Sequence, residues 1–159
     1  MMGKYRKGVF IVTYAFENDK IYYAILKRHK HWIGWEFPKG GVDKNETELN
    51  AVRREVKEET GLKILKIKEF GVKSRYRYRK KLLDRKEIGQ SYSLFAVEVK
   101  KGKVKIDRKE HSDFKWLIFD KAVKILKWPN QRKCLRVVNK RLGKVNVKSK
   151  YLNYALCKK

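Results

Sequence analysis

The chain has 159 residues and a formal net charge of +26, from 43 Lys and Arg against 17 Asp and Glu. That length suits one domain, and a composition that is 42% hydrophobic and 13% aromatic supplies a core and excludes a disordered polar chain. No apolar run reaches transmembrane length, so no membrane partner is expected, and the apolar start reads as a strand without a signal-peptide cleavage site.

The charge implies a cationic surface that draws in polyanions, RNA among them, with steep salt dependence. The competing reading is a lysine-rich surface of the kind thermophiles carry, because the lysines are spread along the whole chain. Cys134 and Cys157 have no metal-ligand spacing and read as reduced thiols, which points to a cytoplasmic protein.

In chain order, Gly8 to Phe16 and Tyr22 to Lys27 alternate as strands, joined by a hairpin turn at Glu17-Asn18-Asp19-Lys20. Arg28-His29-Lys30-His31 ends the second strand in a basic cluster, and Arg28 and His31 are candidates for phosphate or base contact at a cleft rim. The stretch Gly40 to Leu62 then sets an acidic helix. Asn45 is the expected N-cap, Glu48 completes a capping-box-like start, and Gly61 suits the C-terminal cap. Leu49, Val52 and Val56 form its apolar stripe. Glu55, Glu58 and Glu59 share one face at i, i+3 and i+4, bordering the stripe. Three carboxylates so close repel one another unless a cation neutralises them, and hard divalent cations prefer oxygen ligands. The residues alone therefore point to a carboxylate metal site on one helix, against a plain solvated acidic face.

Gly40, five residues, Glu46, seven residues, and Arg54-Glu55-Val56-Lys57-Glu58-Glu59-Thr60-Gly61-Leu62 match every fixed position of the Nudix box. The chain thus resembles the Nudix hydrolases, which cleave pyrophosphate linkages in nucleoside diphosphates joined to another group. The resemblance implies an α+β fold, a mixed β-sheet sandwiched between helices, and a loop-helix-loop that binds Mg²⁺ or Mn²⁺. It implies Glu55, Glu58, Glu59 and Gly40 as the metal set, with Glu55 also a candidate general base. Arg54 resembles the arginine that orients a box glutamate, and Glu46 its holder. The preceding Trp35-Glu36-Phe37-Pro38-Lys39-Gly40-Gly41 is similar to the subset that includes the diadenosine tetraphosphate (Ap4A) hydrolases, with Lys39 aimed at the phosphate chain. Trp35 and Phe37 are expected to pack beneath this loop.

Beyond the box, Ile64 to Lys73 reads as a strand with a bulge at Gly71. Arginine and tyrosine alternate from Arg75 to Arg79, which puts the two kinds on opposite faces of a strand; tyrosines can stack on bases while cations follow phosphate. Tyr76 and Tyr78 are therefore candidate substrate contacts, and a tyrosine here resembles the dinucleoside polyphosphate hydrolases. A charged loop, a strand from Ser91 to Val99 and a short edge strand at Val104 to Asp107 follow. Glu110 resembles the family's glutamate outside the box, a further ligand or the general base. Asp120 is expected to cap a helix to Lys127, and Asn130 another that ends at Gly143.

The expected organisation is a Nudix domain over 1–143 with a basic extension, 144–159, whose Tyr151, Leu152, Tyr154 and Leu156 pack on it, in a monomer or homodimer. The expected reaction is hydrolysis of a dinucleoside tetraphosphate, Ap4A to ATP and AMP. The alternatives are RNA 5′-end pyrophosphate or cap removal by the same box, and, from another class, a nucleic-acid-binding protein with a vestigial box. The intact Arg54-Glu55 and Glu58-Glu59 set argues against the last.

Overall fold

In a computed structural model that describes residues 3–156, with side chains through residue 145, the chain forms a seven-stranded mixed sheet and three helices. The elements are β1 (Tyr5–Glu17), β2 (Lys20–Arg28), β3 (Gly34–Glu36), β4 (Lys39–Gly41), α1 (Glu48–Thr60), β5 (Ile64–Arg77), β6 (Gly89–Val99), β7 (His111–Leu117), α2 (Phe119–Ile125) and α3 (Pro129–Leu156). This is the α+β architecture expected.

Strand β1 is the spine. Its period-2 alternation sends Phe10, Val12 and Tyr14 to one face and Val9, Ile11 and Ala15 to the other. The first set packs with Ala122 of α2, Leu126 just after it, and Leu135 and Val138 of α3; the second packs with Ala51, Val52 and Val56 from α1. The sheet therefore lies between helices because β1 and β6 are apolar on both faces. Strands β1 and β6 run parallel, and β5 closes that side antiparallel to β6.

On its other edge β1 pairs with β2 only near the hairpin, from Tyr14 to Glu17. Asn18 and Asp19, both with positive φ, make the tight turn there. The two strands then diverge, and the segment from Gly34 to Gly41 fills the fork: β3 pairs with β2, and β4 pairs with Gly8 to Phe10 of β1. Strand β7, which the sequence reading left unassigned, pairs with the far edge of β2 and carries Glu110 and His111 to the same end of the sheet.

Several local expectations are corrected. The α1 N-cap is Thr47, whose hydroxyl accepts from the Asn50 N–H at 3.1 Å; Asn45 instead takes a left-handed turn conformation before it. Leu49 is exposed, and Ala51 takes its place in the stripe. Residues 104–107 form no strand, although Val104 is buried. Asp120 lies in the first turn of α2 and makes no capping bond. Strand β5 stops at Arg77, so Tyr78 stands just past its end. Gly71 does mark the register shift within β5, Phe37 is buried under the loop, and Trp35 packs against the α2–α3 core.

Helix α3 does not end at Gly143 but continues to Leu156. Glycine weakens a helix without breaking it, and continuous backbone hydrogen bonding outweighs the loss. The side chains of Tyr151, Leu152, Tyr154 and Leu156, and all of Cys157, lie outside the described residues. A Cβ at Gly143 would meet nothing within 4 Å. Gly143→Ala is therefore expected to stabilise the protein by about 0.5–1 kcal/mol in urea denaturation; destabilisation would mean that the helix stops there.

Candidate active site

Helix α1 presents its carboxylates to the fork. Glu55 and Glu59 are buried, at 9% and 4% exposure, whereas Glu58 remains open to solvent. Arg54 organises this face. Its guanidinium grips both oxygens of Glu46 (Nε to Oε1 2.9 Å, Nη2 to Oε2 3.0 Å) and donates to the Gly41 carbonyl at 2.9 Å. Its Nη1 donates to Glu55 Oε1 at 2.8 Å and to Glu58 Oε2 at 3.3 Å. Arg54 thus ties the Gly41 and Glu46 loop to the helix and bonds Glu55.

The loop approaches from β4. A Cβ on Gly40 would fall 2.0 Å from the Glu55 carboxylate, so a side chain there would push that carboxylate off the position in which Arg54 holds it. The Gly40 carbonyl accepts from the Gln90 amide at 3.3 Å, and the Lys39 N–H donates to Glu59 Oε2 at 3.1 Å. From β7, Glu110 and His111 complete the cluster: ligand atoms of Glu59, Glu110 and His111 lie within 4.8 Å of one another.

Burial shapes the electrostatics. Desolvation raises the Glu55 carboxyl to about 7, against the pull of Arg54 and with a further push from Glu58 and Glu110. Glu59 is raised well above the ordinary carboxylate range by burial and then by Glu55, Glu36 and Glu110. The carboxylate oxygens clustered this way fit a hard divalent cation, with His111 a nitrogen donor beside them.

A cavity of about 600 Å³ opens beside the cluster. Lys39 and Arg28, each bonded to a cluster glutamate, form its inner wall. Tyr76 and Tyr78 stand edge to face at 6.0 Å on one side; Trp32 and Trp128 do the same at 5.3 Å on another. Arg77, Arg79, Lys80, Arg85 and Lys127 add positive charge around it. His31 lines the cavity too, tied through Nε2 to Asp84 Oδ2 at 3.1 Å; burial, with Arg85 and Arg28, keeps its pKa below the ordinary value despite that partner.

All eleven residues singled out from sequence therefore gather at one end of the sheet. Arg54, Glu55, Glu58, Glu59, Glu110 and Gly40 form the acidic cluster; Lys39, Arg28, His31, Tyr76 and Tyr78 line the cavity beside it. Sequence reasoning missed Glu36, His111, Trp32 and Trp128. The two tryptophans flank expected loop or helix boundaries, a signal that could have found them; Glu36 carries no spacing signal of its own.

The site is thus a loop-helix-loop, set at one end of a mixed sheet between helices, that buries two glutamates beside a glycine turn. The NUDIX domain model matches residues 4–138, and the chain belongs to the Nudix hydrolase family. It is 35% identical over 121 residues to an RNA pyrophosphohydrolase of Nitratiruptor, covering 72% of this chain and 78% of that protein. It is 30% identical over 111 residues to an 8-oxo-dGTP diphosphatase of Buchnera aphidicola, covering 69% and 76%. In fold it is similar to a C. elegans Ap4A hydrolase in a binary complex, with TM-score 0.72 and 24% identity over 87% of this chain and 98% of that one.

The raised carboxyls set a pH dependence. A glutamate whose folded pKa exceeds its unfolded value binds more protons when folded, so stability falls as pH rises between the two. In EDTA the melting temperature is expected to drop between pH 4.5 and about 7, the window set by Glu55. Added Mg²⁺ should flatten the drop; a rise in EDTA over that interval would contradict the burial argument.

Proposed function

We propose that this chain hydrolyses a pyrophosphate linkage in a nucleoside polyphosphate, with a dinucleoside tetraphosphate such as Ap4A, split to ATP and AMP, as its first substrate. The observation that carries this reading is the 600 Å³ cavity, which brings two aromatic pairs to a cationic wall whose Arg28 and Lys39 are bonded to Glu110 and Glu59. A cavity of that size suits a small ligand. Two separate aromatic pairs offer stacking to two bases, while Lys39 and Arg28 meet the phosphate chain between them.

In this reading Glu58, Glu59 and Glu110, with the Gly40 carbonyl, hold Mg²⁺ or Mn²⁺. When bound, the cation neutralises phosphate charge and lowers the pKa of a coordinated water. Glu55 is the general base: Arg54 fixes its orientation, and its pKa of about 7 leaves it able to accept a proton near neutral pH. Lys39 and Arg28 bind and orient the oxygens of the polyphosphate. Tyr76 and Tyr78 stack on one base, and His31, held by Asp84, closes the rim. We place this activity in the cytoplasm, where Cys134 stays reduced.

A second reading is favoured by the net charge of +26 and by the name of the Nitratiruptor relative: removal of pyrophosphate from the 5′ end of RNA. Product analysis separates the two. Protein with Mg²⁺ is incubated with Ap4A and, in parallel, with 5′-triphosphorylated RNA, with Glu59→Gln as blank. Fast release of ATP and AMP with slow RNA turnover is the expected result; pyrophosphate from RNA with Ap4A untouched would invert the assignment. Glu55→Gln should lower kcat by about 10²–10⁴-fold and remove the acid limb of the pH–rate profile. Tyr78→Ala should raise KM for Ap4A more than for an inorganic polyphosphate, and equal effects would sink the stacking role.

A further inference from the structure

One buried carboxylate of the site has no part in the chemistry above. Glu36, the last residue of β3, is wholly inaccessible to solvent. Its Oε1 accepts from Arg28 Nη1 at 3.0 Å and lies 3.0 Å from His111 Nε2. Its Oε2 accepts no hydrogen bond from a described residue but sits 3.5 Å from the Lys39 ammonium. A charge buried this deeply survives only with partners. Burial opposes its ionisation, yet Lys39, the His111 hydrogen bond and Arg28 hold the carboxyl down at about 2.

Its partners lead directly to the cluster. The same Arg28 Nη1 reaches Glu110 Oε2 at 3.2 Å, while Arg28 Nε donates to the Lys30 carbonyl at 2.8 Å. The guanidinium is thus held between two carboxylates, one dry and one partly open. Lys39 is divided the same way, with its ammonium on Glu36 and its N–H on Glu59. Glu36 therefore touches the cation wall and, through it, two of the carboxylates assigned to the metal.

We propose that Glu36 is a positioning residue for this reaction: through Arg28 it fixes where Glu110 presents its carboxylate to the divalent cation, and it holds the Lys39 ammonium away from Glu59. Without the Glu36 charge, Arg28 closes onto Glu110 and the Lys39 ammonium turns toward Glu59, and both compete with the cation. The inference rests on the reading that Glu59 and Glu110 hold the metal. It adds a residue outside the ligand set that controls metal affinity through the cations beside the ligands.

The test is a Mg²⁺ titration followed by the melting temperature, without substrate, on the wild type, Glu36→Gln, Glu110→Gln and the double variant. Glu36→Gln should raise the half-saturating Mg²⁺ concentration by about 10-fold or more, the range typical for groups that orient metal ligands. In the Glu110→Gln background the same substitution should add less than about 2-fold, since coupled residues are not additive. Turnover by Glu36→Gln should recover, at least in part, at high Mg²⁺. A lower melting temperature with an unshifted Mg²⁺ midpoint, or an undiminished effect on top of Glu110→Gln, would overturn the inference and leave Glu36 a structural ion pair. Should Glu36→Gln fail to fold, Arg28→Lys breaks the same link from its other side. A higher Mg²⁺ midpoint in that variant supports the proposal, and an unchanged one overturns it. A wild type with no Mg²⁺ response would overturn the metal-site reading and this inference together.

Discussion

The site depends on one constraint: two glutamates on one helix, Glu55 and Glu59, are buried side by side without a cation of equal strength to neutralise both. Arg54 serves only the outer one, and Glu59 receives a backbone N–H from Lys39. The rest of the fork exists to keep these carboxylates dry and close. Strands β1 and β2 separate, the Gly34–Gly41 segment enters the gap, and Gly40 brings backbone close against the Glu55 carboxylate. Burial therefore favours the protonated carboxyls in the apo protein, and in the proposed reading a divalent cation would favour the ionised ones. Function and local instability have the same origin.

A second layer balances the first. Arg28, Lys39 and His111 surround Glu36, so that a dry anion organises cations that in turn face the acidic cluster and the cavity. Charge alternates from the interior outward: Glu36, then Arg28 and Lys39, then Glu59 and Glu110. The next positive shell is Arg77, Arg79, Lys80, Arg85 and Lys127 around the cavity. This alternation gives a polyanionic substrate an attractive approach while preserving the carboxylates needed at its end.

Much of this was legible in the sequence. The spacing of Gly40, Glu46, Arg54, Glu55, Glu58 and Glu59 is local, and local spacing fixes a helix face and, at Gly61, its C-terminal cap. The alternation in β1, β2 and β6 was equally readable, because period-2 patterns need no tertiary knowledge. The failures have physical causes. Asn45 and Thr47 are both good caps, and the choice fell to the turn that seats Gly41 against Arg54. Leu49 had the right spacing but the wrong side of the sheet edge. Gly143 looked like a stop, yet no left-handed turn follows it. Glu36 was invisible because its partners come from β2, β4 and β7, which only the fork brings together.

The central claim is that the buried glutamates hold protons until a divalent cation displaces them. Calorimetric titration of Mg²⁺ near pH 6.5, in two buffers of different ionisation enthalpy, tests it most directly. Binding should release protons, seen as buffer-dependent heat, and the release should shrink in Glu55→Gln. Equal heats in the two buffers, with binding intact, would show the carboxylates already ionised and would contradict the account.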